Sequence, residues 1–132
     1  MPPTRARPIS FDTFCTGILA TCVRDGITTL SCDEPALTQA FRGAASALID
    51  CGIPLQFRIR PTLHGSSETV SDGLNAAIQR GLLVRPSGTA ELRLTLTPEH
   101  ATELLDHLPI DRELFLILTT HFRSITLAKG PR

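Results

Sequence analysis

The run from Ser66 to Thr97, SSETVSDGLNAAIQRGLLVRPSGTAELRLTLT, restricts the possible folds more than any other stretch of the chain. Two serines open it, and Ser66 or Ser67 can accept hydrogen bonds from the free N–H groups at the start of a helix. Val70, Leu74, Ala77, Ile78 and Gly81 then recur at helical spacing, which turns one stripe toward a core. Gly81 ends the helix, because a left-handed backbone is tolerated cheaply where there is no Cβ. Beyond it Leu92, Leu94 and Leu96 alternate with Arg93, Thr95 and Thr97, the period of a half-buried strand. Pro86, Ser87, Gly88 and Thr89 supply the tip of a hairpin.

The rest of the chain must pack around this helix and hairpin. Pro2, Pro3 and Pro8 forbid a helix at the start, so residues 1–9 read as a mobile arm. Ser10 caps a first helix over residues 11–24. Its core stripe is Phe11, Phe14, Cys15, Ile18, Leu19, Cys22 and Val23. The opposite face, Thr13, Thr16, Gly17, Ala20 and Thr21, is small and uncharged where a solvated face would carry Lys or Glu. Gly17 points to close approach by another element, either a partner chain or the arm. Ile27–Ser31 reads as a short strand. Asp33, Glu34 and Pro35 then provide the cap, first-turn acid and early proline of a helix over 34–50. Its core side is Leu37, Phe41, Ala44 and Leu48, with a small-residue flank at Ala36, Ala40, Gly43 and Ala47.

After Gly52, the alternation of Leu55, Phe57 and Ile59 with Gln56, Arg58 and Arg60 predicts a strand that Pro61 ends. Following the hairpin, Thr97 and Pro98 start a helix over 98–108 with Ala101, Leu104, Leu105 and Leu108 inward. Pro109 breaks the chain, and Asp111 caps a last helix over 111–125. The apolar run Leu114–Leu118 within it faces either a deep core or an oligomer contact. The expectation is an α+β fold in the order αβαβαββαα, with one compact domain over 10–126 and a frayed tail over 127–132.

The 132 residues suit a single domain, and 42% of them are apolar. Thirteen basic residues balance thirteen acidic ones, which argues against strong non-specific binding to nucleic acid. The first ten residues hold no apolar run of the secretory kind, and no stretch reaches membrane-spanning length, so a soluble cytoplasmic protein is expected. Cys15, Cys22, Cys32 and Cys51 lack the spacing of a zinc ribbon or redox pair. The expected state is four reduced thiols, with Cys15 and Cys22 acting as small hydrophobes.

A helix, the residues Arg80, Gly81, Leu82 and Leu83, and a hairpin running into Leu96, Thr97, Pro98 and Glu99 together resemble the recognition helix and wing of winged-helix regulators, loosely the MarR type. The resemblance covers residues 66–97 and implies a winged-helix-like C-terminal half that reads DNA. The residues agree with that reading in part. Ser67, Ser71, Asn75 and Gln79 follow one another at four-residue steps on one side of the helix. Asn and Gln can pair with adenine in the major groove, and Ser with bases or phosphate. Arg80, Arg85 and Arg93 can hold phosphates. Glu68 and Asp72 on the same helix would repel them, and a solvated helix beside a polar hairpin also explains the pattern.

Other clusters carry less. Arg58 and Arg60 share one side of the expected strand and can bind an anion or an acidic partner, although a solvated sheet face with Arg stems over apolar surface is the plainer reading. His100, Glu103 and His107 share one side of a helix at ligand-like spacing, but that side is the polar remainder once the leucines turn inward, and no metal is expected. Cys32 precedes a helix whose dipole can stabilise a thiolate. Asp33 and Glu34 oppose this, and His64 can serve as its base only if the fold brings the two together. No phosphate loop, dinucleotide fingerprint or nucleophile elbow occurs, so no cofactor is expected. Three functions follow in order: a non-enzymatic regulator binding duplex DNA as a homodimer; a protein-interaction module, adaptor or inhibitor, for an acidic partner; and a thiol enzyme using Cys32. The homodimer is expected to form through the small face of the first helix and the Leu114–Leu118 helix.

Overall fold

The structure, a computed structural model, describes residues 8–108 and 112–129. The expected arm before Pro8, the Pro109 break, the Asp111 cap and the tail beyond Lys129 lie outside these residues. The elements are α1 (Phe11–Arg24), β1 (Ile27–Ser31), α2 (Glu34–Asp50), α3 (Glu68–Gln79), β2 (Leu83–Val84), β3 (Glu91–Leu94), α4 (Pro98–Asp106), α5 (Arg112–Thr119), a 3₁₀ helix (Thr120–Ile125) and β4 (Thr126–Lys129). The class is α+β, with one antiparallel sheet in the order β2-β3-β1-β4. Among the described residues, no helix is long and apolar enough to cross a membrane.

Capping chemistry sets four helix starts where the sequence marks them. Ser10 Oγ accepts from Thr13 N at 3.2 Å, an Asp33 carboxylate oxygen from Ala36 N at 3.1 Å, Ser67 Oγ from Val70 N at 3.4 Å and Thr97 Oγ1 from His100 N at 3.1 Å. Each satisfies a first-turn donor that the helix cannot satisfy itself.

α1 is the centre of the molecule rather than one of its walls. Its stripe of Phe14, Cys15, Ile18, Leu19 and Cys22 is buried, and so is the small face formed by Thr16, Gly17, Ala20 and Thr21. The element that approaches Gly17 is α5. A Cβ there would run into the ring of Phe115 on α5, so the glycine lets α5 lie against α1. The expected dimer contact through this face is therefore excluded, because the chain covers it with its own residues. The two polar groups buried there are both satisfied: Thr21 Oγ1 donates to Gly17 O at 2.8 Å within the helix, and Thr16 Oγ1 accepts from Arg80, at the end of α3, at 2.9 Å.

Phe11, Phe14, Phe41, Phe57 and Phe122 join α1, α2, the 53–60 segment and the 3₁₀ helix, with neighbouring ring centroids 4.9–6.0 Å apart. Tilted and edge-on ring pairs of this kind contribute about 0.5–1.5 kcal/mol each beyond the area they bury.

Three expectations about the elements need correction. Residues 55–60 form no strand: Leu55 makes a single parallel bridge with Ile9, and residues 57–60 have no ladder partner. Their alternating exposure arises because the segment lies on the core edge with Leu55, Phe57 and Ile59 turned inward. The last helix breaks after Thr119 into the 3₁₀ helix, where Thr119 and Thr120 hydroxyls bond back to Leu116 O and Ile117 O at 2.9 and 2.6 Å. Residues 127–129, expected to fray, instead continue from Thr126 as the edge strand of the sheet and pair with β1, with Ile27 opposite Lys129 and Leu30 opposite Thr126. The observed order is accordingly αβααββαα with a closing strand.

Candidate binding surfaces

α3 turns Val70, Gly73, Leu74 and Ala77 inward, and Gly73 is small because the Phe11 ring rests on it. The outward side presents Glu68, Ser71, Asp72, Asn75 and Gln79. The hairpin is fixed to the end of this helix: Thr95 N donates to Leu82 O at 3.1 Å, and Thr95 Oγ1 donates to Gly81 O at 2.7 Å. Gly81 and Gly88 both have φ of +78°, which permits the helix stop and the hairpin tip respectively.

The fold brings together part of the expected DNA-reading set. Ser71, Asn75 and Gln79 share the exposed side of α3. Ser67 does not join them, since it is 4% exposed and its hydroxyl caps the helix. Arg80 reaches back to Thr16 on α1. Arg93 forms an ion pair with Glu91 at 3.2 Å, on a side chain 57% exposed. Arg85 is exposed at the end of β2, beside a shallow pocket that also includes Glu34, Ser66 and Ser71. The charges left on the outward side of α3 are the carboxylates of Glu68 and Asp72.

The remaining clusters separate. The Asp33 carboxylate occupies the start of α2 as its cap, the position where a Cys32 thiolate would need the helix dipole. Cys32 is half-buried, and among the described residues its thiol has no hydrogen bond with His64, whose backbone N–H donates to Thr62 Oγ1 at 3.3 Å. A ring nitrogen of His107 bonds to the carbonyl of Glu103 at 2.7 Å, and among the described residues no group of three His, Cys, Asp or Glu side chains is arranged to hold a metal ion. Burial pushes the Cys15 thiol up to about 12, helped by the negative charge of Asp12. Burial likewise pushes Cys22 up to about 12, with Asp25 adding to it. Both are inert protonated core groups at neutral pH.

Arg58 and Arg60, paired on one side of the expected strand, belong to a second surface that the sequence did not outline, a groove of about 320 Å³ between α2 and the 53–60 segment. Ala45, Ile49, Phe57 and Ile59 line it, with Arg42, Arg58 and Arg60 at its margin. Arg42, Ser46 and Ile49 fall at steps of four and three along α2, a signal present in the sequence. Pairing them with residues 57–60 requires the three-dimensional fold.

No protein-family model, curated protein or solved structure matches the chain.

Proposed function

We propose that the chain is a non-enzymatic protein-interaction module, an adaptor or inhibitor, built on a winged-helix-like arrangement of α1, β1, α2, α3 and the β2–β3 hairpin. One observation carries this reading over DNA binding: the outward side of α3 holds Glu68 and Asp72 and no cation, while Arg80 is engaged with Thr16 and Arg93 with Glu91. A phosphate backbone meeting that side would encounter repulsion where DNA readers gather Lys and Arg. The DNA reading keeps one supporting observation, the shared exposure of Ser71, Asn75 and Gln79 beside Arg85. The order of the elements and the strand order β2-β3-β1 are compatible with either use of the fold.

The deciding measurement is fluorescence anisotropy against a pool of genomic duplexes at low salt. The interaction reading expects no complex tighter than about 10⁻⁵ M, the non-specific range. It also expects a stoichiometric protein to co-purify with the tagged full chain after nuclease treatment. A sequence-selective nanomolar duplex complex, lost on Asn75→Ala, would reverse the assignment. Self-association, in this reading, uses the outer side of α5 and β4, where Leu116, Ile117 and Leu127 are 57%, 51% and 55% exposed. Light scattering that finds a monomer at every concentration removes the homodimer.

A further inference from the structure

The groove between α2 and residues 53–60 combines three features that point to one kind of occupant. Its floor is apolar: Ala45 is buried, Leu55, Phe57 and Ile59 are half-buried against the core, and Ile49 is 59% exposed. Its margin is cationic, since Arg42, Arg58 and Arg60 are exposed and no carboxylate lines the groove. Among the described residues none of the three arginines forms an ion pair. What sets these three guanidinium groups apart is that they gather at one groove with no carboxylate among its lining residues.

The third feature is the backbone. Along an extended chain, successive N–H and C=O groups point to opposite edges. Gln56 N donates to Ile9 O at 2.9 Å, and Arg58 O accepts from Thr69 Oγ1 at 3.1 Å. These bonds lie on the edge that faces α1 and α3. The N–H groups of Phe57 and Ile59 belong to the opposite edge, and among the described residues they make no hydrogen bond. Residues 57–60 contain no turn or bend. The segment thus reads as a strand without a neighbour, the situation that strand-adding ligands use.

We propose that this groove binds an extended acidic segment of a partner protein, which adds as a strand along Phe57–Arg60. Backbone pairing to Phe57 and Ile59 would supply the register. Alternate carboxylates would meet the guanidinium groups of Arg42, Arg58 and Arg60, whose planar fork suits a carboxylate. The intervening apolar side chains would cover Ile49 and Phe57. The proposal rests on the protein-interaction reading above and gives it a partner chemistry.

The test uses the full chain and a labelled decapeptide alternating glutamate with valine. Its controls are the same peptide with lysine for glutamate, a version N-methylated at alternate residues, and single-stranded oligothymidylate. Anisotropy should report binding of the acidic peptide and none of the lysine or N-methylated versions. The amide signals of Phe57 and Ile59 should shift on titration. Arg58→Glu combined with Arg60→Glu should weaken binding by about tenfold or more, as expected for reversed charge at a complementary interface. Arg42→Glu, on the exposed side of α2, serves as the independent variant, and circular dichroism confirms that each is folded. Acidic-peptide binding that ignores both sets of variants would overturn the groove while leaving the interaction reading intact. Failure of folded wild-type protein to bind the peptide, or preferential binding of oligothymidylate, would also overturn it. A sequence-selective duplex complex would instead bring down the interaction reading itself.

Discussion

At the scale of single residues, two glycines decide how closely the elements approach. A Cβ at Gly17 would collide with the ring of Phe115, and one at Gly73 with that of Phe11. Alanine is the better helix former by about 1 kcal/mol, yet overpacking a core costs about 1–3 kcal/mol. Gly17→Ala should therefore lower stability in urea unfolding, and adding Phe115→Leu should recover part of the loss. No recovery would mean that the ring is not what the methyl group meets. The sequence marks Gly17 as a place of close approach but does not name Phe115, because residues 114–118 are apolar at every position. The buried thiols yield a second expectation. Cys15 and Cys22 titrate near 9.0 in an ordinary setting and near 12 in the folded chain. The folded state then binds more protons than the unfolded one between those values. Their contribution to stability is complete below pH 9.0 and falls as pH rises toward 12. A urea midpoint that stays level or rises across that window would contradict this. At neutral pH, alkylation should reach Cys51 first and leave Cys15 and Cys22 unmodified until the chain unfolds.

At the scale of elements, the helix starts were legible because caps are local: one side chain and one backbone donor three residues later suffice. Ser67 shows what a cap position does to a functional reading. The same serine that satisfies Val70 N is withdrawn from the surface where DNA contact would need it. Ser67→Ala should destabilise the chain by about 1 kcal/mol, the usual worth of an N-cap, with no change in ligand binding by anisotropy. A loss of binding at unchanged stability would restore Ser67 to the surface. Strands were less legible, since a strand depends on a neighbour that the local pattern does not contain. Leu55, Phe57 and Ile59 alternate as a strand should, but no ladder forms beyond Leu55. Thr126–Lys129 has too few residues to show a period, yet it completes the sheet against β1. Conversion of Thr126 to proline should weaken that edge and lower the unfolding midpoint, because Leu30, 1% exposed, lies opposite it.

At the scale of the whole molecule, charge placement matters more than net charge. Thirteen cations and thirteen anions cancel, but the exposed side of α3 is acidic and the margin of the α2 groove is basic. Glu68→Gln with Asp72→Asn should leave acidic-peptide binding unchanged, since neither side chain lines the groove. A marked change in peptide affinity would place the docking surface on α3 instead. The arginines of the groove were visible in the sequence as a pair on one expected strand; their union with Arg42 was not, because it depends on how α2 lies beside a segment that follows it. The pairing of β1 with β4 has a consequence for how the protein is made. Residues 27–31 emerge in synthesis about a hundred residues before their partner at 126–129. Phe115, which seats on Gly17, also emerges well after α1. The nascent chain therefore carries an α1 not yet covered by α5 and a half-paired β1 until residues 112–129 have emerged. Contacts of such long sequence separation slow the final folding step, and the interval before it is when the chain is most open to chaperones, proteases and its own neighbours.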